Sequence, residues 1–468
     1  MKLFNIKNTI NKKNYVLLIF LGLAVSVFLG AATALLTASV GKHYGILLSL
    51  PIIILIGFIF LIDRYILFFL IIIFRSAMDA ILDATRFGSF GLGAVLNALV
   101  ILIALLAIFQ KSNIAGKVTS QVWLPFLIIS FFNLAIAPEF LNSIKLFLIL
   151  LSYAAIFSLA ITLIKNESDY ARWLRAVLLS SLIPVVYGFI DAATGGTLGE
   201  DGFRIKSTFS HPNVFAFYLV LMISISFYIY KAKMAFLPVF LRRILPLYIL
   251  LMLALLVMTK TRSAWIECFA FFTFYALFYE RKYLLLIVFT PLLGFLIPEI
   301  RDRLLDLGQG NEVINYSQLN SYAWRKLIWH DGLHWMKPIH YIYGYGLDSF
   351  KYYSTVFFTM AGKSHSGAHS VYVQLFFETG ILGVLAFMWA HLKVAKLLIP
   401  FHKINKIMIF SSIMFLLEYS LAAYSDNMLD YLSFNWYLWF VLGATYAVNY
   451  SKQKTTLINA DDYMVQNK

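Results

Sequence analysis

The stretch ILPLYILLMLALLVMTKTRSAWIECFAFFTFYALFY, residues 244–279, decides the fold class. It holds two apolar runs, 244–258 and 263–279, separated only by Thr259, Lys260, Thr261 and Arg262. About 20 apolar residues cross a bilayer as one helix. The pair therefore reads as two membrane-spanning helices joined by a tight, positively charged connection.

The same pattern continues in both directions. Fourteen candidate spans lie near 15–36, 44–61, 65–74, 91–110, 123–137, 142–164, 176–193, 213–230, 244–258, 263–279, 283–298, 371–391, 407–424 and 432–449. The third is short, and is either a re-entrant segment or extends into 75–80. The first is longer than a signal-peptide core and has no convincing cleavage site, so a retained span is expected there. Composition agrees. Of 468 residues 61% are hydrophobic and 13% charged, and the mean hydropathy is +0.79. A soluble domain carries about 25% charged residues. Lipid permits only helices or closed barrels, and soluble β patterns are nearly absent. The expected fold is thus all-α, a polytopic helical bundle of about 12–14 spans with one large extracytoplasmic loop.

The net charge of +15 raises the question of nucleic acid. The Lys and Arg fall mostly in short loops between apolar runs, which makes them topological. With the N-terminus in the cytoplasm, 23 of the 38 Lys and Arg fall on the cytoplasmic side, as the positive-inside rule requires. The expected organisation is a cytoplasmic tail over 1–14 and a transmembrane bundle over 15–298 with an outer loop at 194–212. A large extracytoplasmic loop over 299–370 follows, then helices over 371–449 and a polar, disordered cytoplasmic tail over 450–468. Stretches such as WRKLIWHDGLHW in the large loop suggest short amphipathic helices at the interface. The lone Cys268 excludes an internal disulfide and Cys-rich zinc sites.

Three outer segments hold polar residues with no topological use. GEDGFRIKSTFSHPN, 199–213, packs Glu200, Asp201, Arg204, Lys206 and His211 ahead of a span that Pro212 and Asn213 start. A capped polar loop would look the same, and His211 fits either role. TKTRSAWIE, 259–267, puts Lys260 and Arg262 at an outer boundary, where they either snorkel or bind an anion. Glu267 falls inside the next span and should face the bundle. The long loop carries Arg325, then YGYGLDSF at 343–350, then His365 and His369 just before a span that contains Glu378.

Together these segments, over roughly 200–390, resemble the O-antigen ligase and O-antigen polymerase superfamily. The pieces are Arg204…FSHPN, TKTRSAW, WRKLIW, GYGLDSF and AHSVYVQLFFETGILG, in order. Ser370 follows His369 where the family often has Asn. The resemblance implies a glycosyltransferase whose donor is a glycan on undecaprenyl diphosphate and whose acceptor is a sugar hydroxyl on a lipid-linked saccharide. It places the reaction on the outer face of a bacterial inner membrane, in the synthesis of O-antigen, capsule or exopolysaccharide.

The residues suit that chemistry. Arginine forks match diphosphate oxygens and stay charged, which nominates Arg204, Arg262 and Arg325 for the donor. Histidine suits proton abstraction from the acceptor hydroxyl, which nominates His369 as the base. Lys206, His211, Asn213, Lys260, His365 and Glu378 are accessory candidates. No Asp-x-Asp or Asp-x-Glu pair is present, so no metal and no cofactor is expected. The His211-Pro212-Asn213 motif favours a polymerase slightly over a ligase acting on lipid A core or protein. A flippase for lipid-linked sugars is the rival of another class. Against it stand the absence of a repeat and the concentration of polar residues on one face rather than at the midplane.

Overall fold

A computed structural model describes residues 44–84, 86–87, 90–111, 113–199, 202–232, 237–305, 320–358, 360 and 365–466. The run 15–36 and the residues Glu200 and Asp201 lie outside them. The fold is the expected all-α membrane bundle. Among the described residues nine helices are long and apolar enough to cross a membrane. Among the described residues the only strands are two small antiparallel ribbons, Arg86–Phe87 with Phe90–Gly91 and Thr197–Gly199 with Gly202–Arg204.

At the centre stands the helix Phe140–Leu163, packed against Leu92–Lys111, Asn113–Phe132 and Leu432–Gln466. Its sequence alternates bulk with Ser152, Ala154, Ala155, Ser158 and Ala160, all buried. Small residues let helix backbones approach, which is how spans associate where lipid is as apolar as leucine. Polar groups in this core pair across helices: Trp436 Nε1 donates to Ser152 Oγ at 3.0 Å, and the Tyr170 and Tyr228 hydroxyls meet at 3.2 Å. The helix Pro212–Lys231 is the most enclosed span, with 83% of its apolar window buried.

Three sequence expectations need adjustment. The second and third runs form one assigned helix, Tyr44–Phe74, broken at Asp63, which is extended at φ −156° and ψ 102°. The Asp63 carboxylate accepts from the Tyr65 and Ile66 N–H groups at 2.8 and 3.2 Å, capping a fresh helical limb. That limb stops at Phe74, and 79–84 is a separate short helix. The run 283–298 yields only the helix Leu284–Phe295 behind a 3₁₀ turn. Pro298 then opens a separate helix, Pro298–Leu305, as proline suits a first turn but not a helix interior. The tail, expected to be disordered, continues Leu432–Gln466 as helix. Ser451 Oγ donates to the Lys165 carbonyl at 2.6 Å and Lys452 pairs with Glu167, which anchors the extension.

Within the long loop, Ser321–Trp335, His340–Tyr343 and Ser349–Phe357 are helical. They share an apolar cluster of Ile328, Met336, Phe350, Phe358 and Ala368 with Phe377 of the spanning helix Val371–Leu398, so the cap and the bundle are packed as one. The turn after Tyr343 lies directly on that helix where it kinks at Gly380. Tyr345 N–H donates to the Phe377 carbonyl at 3.0 Å and Gly346 N–H to that of Glu378 at 2.9 Å. Gly344 (φ +78°) faces the Glu378–Thr379 backbone and Gly380 (φ +65°) the Ile342–Tyr343 backbone, and a Cβ on either would overlap it. Gly344 and Gly380 therefore serve one close backbone approach, while Gly346 serves another against the Ile136–Ala137 backbone.

Candidate functional site

One end of the bundle gathers the predicted residues. Arg204 closes the second ribbon, opposite Thr197. Its Nε donates to the Thr259 carbonyl at 2.8 Å, and its Nη2 donates to Asn213 Oδ1 at 2.7 Å and Thr261 Oγ1 at 3.0 Å. This clamps the start of Pro212–Lys231 to the connection before Arg262–Phe278. His211 caps the first of these helices, its Nδ1 accepting from the Asn213 N–H at 3.1 Å. Asn213 passes the link on: its Nδ2 donates to Asp426 Oδ2 at 2.7 Å.

Asp426 is the hub of the site, and the sequence reading missed it. It sits in the connection 426–431 between the helices Lys406–Ser425 and Leu432–Gln466, with its side chain 2% exposed. Its Oδ1 accepts from the Asn427 N–H at 2.9 Å and lies 3.6 Å from His369 Nδ1. Burial pushes the Asp426 carboxyl up, but His369, Arg325 and the Asn427 N–H outweigh it and hold the group at about 2. At 3.6 Å the His369 Nδ1–Asp426 contact is electrostatic rather than a formed hydrogen bond. The imidazole is 42% exposed, enough to meet a substrate from the same side.

His369 is also strained. Four described non-glycine residues have positive φ: Ser207, Lys260, Asp348 and His369. All four lie in connections at this end, and strain of this kind collects at functional sites. His369 is held at φ +47° in part by Trp329, whose Nε1 donates to the Ala368 carbonyl at 2.6 Å. Trp329 shares the helix Ser321–Trp335 with Arg325, one turn away. Arg325 is half-buried and acts electrostatically on Asp426 and Tyr431. At the start of that helix Ser321 Oγ accepts from Arg262 Nη2 at 2.9 Å, so Arg262 stands beside the Arg325 face.

Arg204, Asn213, Arg262, Arg325 and His369 thus converge. The other candidates stand apart. Lys206 contributes its backbone N–H to Asp191 Oδ2 at 2.8 Å. Lys260 occupies the left-handed turn before Arg262. His365 is exposed, its Nδ1 at 3.0 Å from the Lys351 carbonyl. Glu378 is fully buried beneath the glycine turn. On the far side of the 426–431 connection Lys351 donates to Asp430 Oδ2 at 3.0 Å and lies 4.0 Å from Asp348. Among the described residues no three His, Cys, Asp or Glu side chains form a metal-holding group.

Asp426 and Asp430 had a readable signal: two acids in a seven-residue connection between apolar runs.

A search of curated proteins finds no match to this chain. Residues 247–388 do match the family model described as O-antigen ligase. The match takes in Arg262, Arg325, His369 and Glu378, while Arg204, Asn213 and Asp426 reach the site from outside it. Over that segment, somewhat under a third of its length, the chain is similar to the O-antigen ligase family.

Proposed function

We propose that this protein transfers a glycan from undecaprenyl diphosphate to a sugar hydroxyl of a lipid-linked acceptor, without a metal ion, at the outer face of the inner membrane. The observation that carries the reading is the His369–Asp426 pair beside Arg262 and Arg325. His369 Nε2 takes the proton of the acceptor hydroxyl while Asp426 orients the ring and offsets its new positive charge. The acceptor oxygen attacks the anomeric carbon, and the bond from that carbon to the diphosphate oxygen breaks. Negative charge grows on the departing lipid diphosphate, where the guanidinium forks of Arg262 and Arg325 meet it. Arg204 binds the donor from the rim and, through Asn213, steadies Asp426.

The charge bias of the loops supports an outer orientation of this end, with both termini in the cytoplasm. Between the two acceptor classes we favour the growing-chain polymerase, on the His211-Pro212-Asn213 start of the enclosed span. The test is a purified reaction in EDTA with an undecaprenyl-diphosphate glycan, wild type beside His369→Ala. Metal-free transfer by wild type and a folded, inactive variant are the expected results. The product, a lengthened lipid-linked chain or a ligated one, decides the acceptor. Full activity in His369→Ala would remove the base assignment. Movement of lipid-linked sugar across vesicles without transfer would replace the enzyme by a flippase.

A further inference from the structure

The far side of the 426–431 connection holds a second polar niche that the transfer chemistry above does not use. Its rim is charged and partly open: Asp348, Lys351 and Asp430 have side chains 18%, 36% and 33% exposed. Glu139 and Lys145, at the start of the Phe140–Leu163 helix, act on Asp348 electrostatically. Its floor is different. Ser349, Gln374, Glu378 and Asn427 are each more than nine-tenths buried. Among the described residues none accepts from or donates to Ser349 Oγ, either end of the Gln374 amide, either Glu378 carboxylate oxygen or Asn427 Oδ1. The nearest polar groups to Glu378 are the Gln374 side chain and the Asp348 backbone, which do not close a well-aligned hydrogen bond with it.

Each buried polar atom without a partner costs about 1–3 kcal/mol, and such groups are rare in native proteins unless something polar meets them. Here six such atoms lie under one mixed-charge rim. Gln374 and Glu378 are four residues apart on one helix face. Asp348 and Ser349 come from the turn seated on that face. Asn427 comes from the connection that carries Asp426, and its Nδ2 closes against Gly367, two residues before His369. The niche therefore shares its walls with the His369–Asp426 pair. Its chemistry differs from the arginine side. Acceptors dominate, three acids (Glu139, Asp348, Asp430) face two lysines, and neutral amides add both donors and acceptors. A diphosphate would be repelled. A ring bearing several hydroxyl groups, each both donor and acceptor, fits such a set.

We infer that the niche of Asp348, Lys351, Gln374, Glu378, Asn427 and Asp430 is the subsite for the acceptor saccharide, holding a hydroxyl-rich sugar ring so that one hydroxyl is presented to His369. This rests on the glycosyl-transfer reading above. It divides the two substrates by charge: the donor diphosphate lies with the arginines, the acceptor sugar with the acids and amides, and the connection 426–431 runs between them.

The experiment uses the full-length protein in detergent. Hydrogen exchange is measured over 343–357 and 426–431 with two probes: the cell's own repeat-unit saccharide, freed from its lipid by mild acid, and inorganic pyrophosphate. Protection by the saccharide and none by pyrophosphate is expected. In steady-state kinetics Glu378→Gln and Asp430→Asn should raise the acceptor KM about tenfold, equivalent to one lost hydrogen bond, with the donor KM and kcat near wild type. Glu378→Gln keeps the shape of the buried side chain, and the milder Asp430→Asn lies on the open rim, so at least one variant folds. Protection by pyrophosphate alone, no protection by either probe, or a rise confined to the donor KM overturns the inference while leaving glycosyl transfer intact. If wild type transfers no glycan yet the saccharide protects both segments, the saccharide site stands and the reaction assigned to it falls.

Discussion

Two aspartates on opposite sides of one short connection show how differently the same side chain is used. Asp426 and Asp348 both lie at the same end of the bundle, and both are largely withdrawn from solvent. Asp426 meets His369, the field of Arg325, and donors from Asn213 and Asn427, and stays ionised down to about 2. Burial raises the Asp348 carboxyl to about 6; Lys351 opposes this, while Asp430 and Glu139 add to it. One is a fixed negative charge beside an imidazole. The other changes charge near neutrality in a niche of unpaired acceptors. Burial is common to both, and the neighbours decide the outcome.

The largest expected break in this contrast comes from His369→Ala, which should lower kcat by roughly 10²- to 10⁴-fold, the usual worth of a general base. Circular dichroism of the variant should match wild type. Asp426→Asn comes next. It keeps the shape of the side chain but removes the charge that faces His369 Nδ1, and a loss of about 10²-fold or more in kcat is expected. Full activity in this variant would detach Asp426 from the base.

Arg325→Ala should raise the donor KM about tenfold, with Arg325→Lys recovering only part because a lysine offers a point charge in place of a fork. An unchanged donor KM, measured against a varied lipid-diphosphate glycan, would move the phosphate site elsewhere. Trp329→Phe retains the ring but loses the bond to the Ala368 carbonyl, a neutral hydrogen bond worth about 1 kcal/mol. A fall in kcat of roughly fivefold with both KM values unchanged is expected.

The smallest effect concerns stability against pH. Because the Asp426 carboxyl is depressed from 3.8 to about 2, its contribution is present above 3.8 and lost as pH falls toward 2. The Asp348 carboxyl is raised from 3.8 to about 6, so the folded protein holds the extra proton in that window and stability declines as pH rises through it. Thermal midpoints between pH 4 and 6 should drift down in wild type and stay flatter in Asp348→Asn. Identical slopes would dissolve the contrast between the two aspartates.

Much of the bundle was legible because spans are long apolar runs, and lipid leaves the backbone one solution within each of them. The weaker elements were those whose fate depends on a partner. The polar tail past Tyr450 stays helical because Ser451 and Lys452 find Lys165 and Glu167, nearly three hundred residues away in sequence. Residues that bear charge without topological use, Arg204, Arg262 and Arg325, stood out, and so did His369. Asp426 did not, since a single acid in a short turn looks like any loop residue until Asn213 and His369 are seen to meet it.

What the sequence by itself determined is therefore the solvent, the helical class and the chemical kinds of residue gathered in the connections between spans, all set by local composition and length. Only the tertiary structure decided which of those residues face one another. It brought Asp426 to His369 and seated the glycine turn on the Val371–Leu398 kink. It also buried the Gln374 amide and the Glu378 carboxylate beside Asp348 with no hydrogen-bond partner among the described residues. Hydropathy acts one residue at a time, whereas a site is a set of distances between helices far apart in the chain, and no local pattern records those distances.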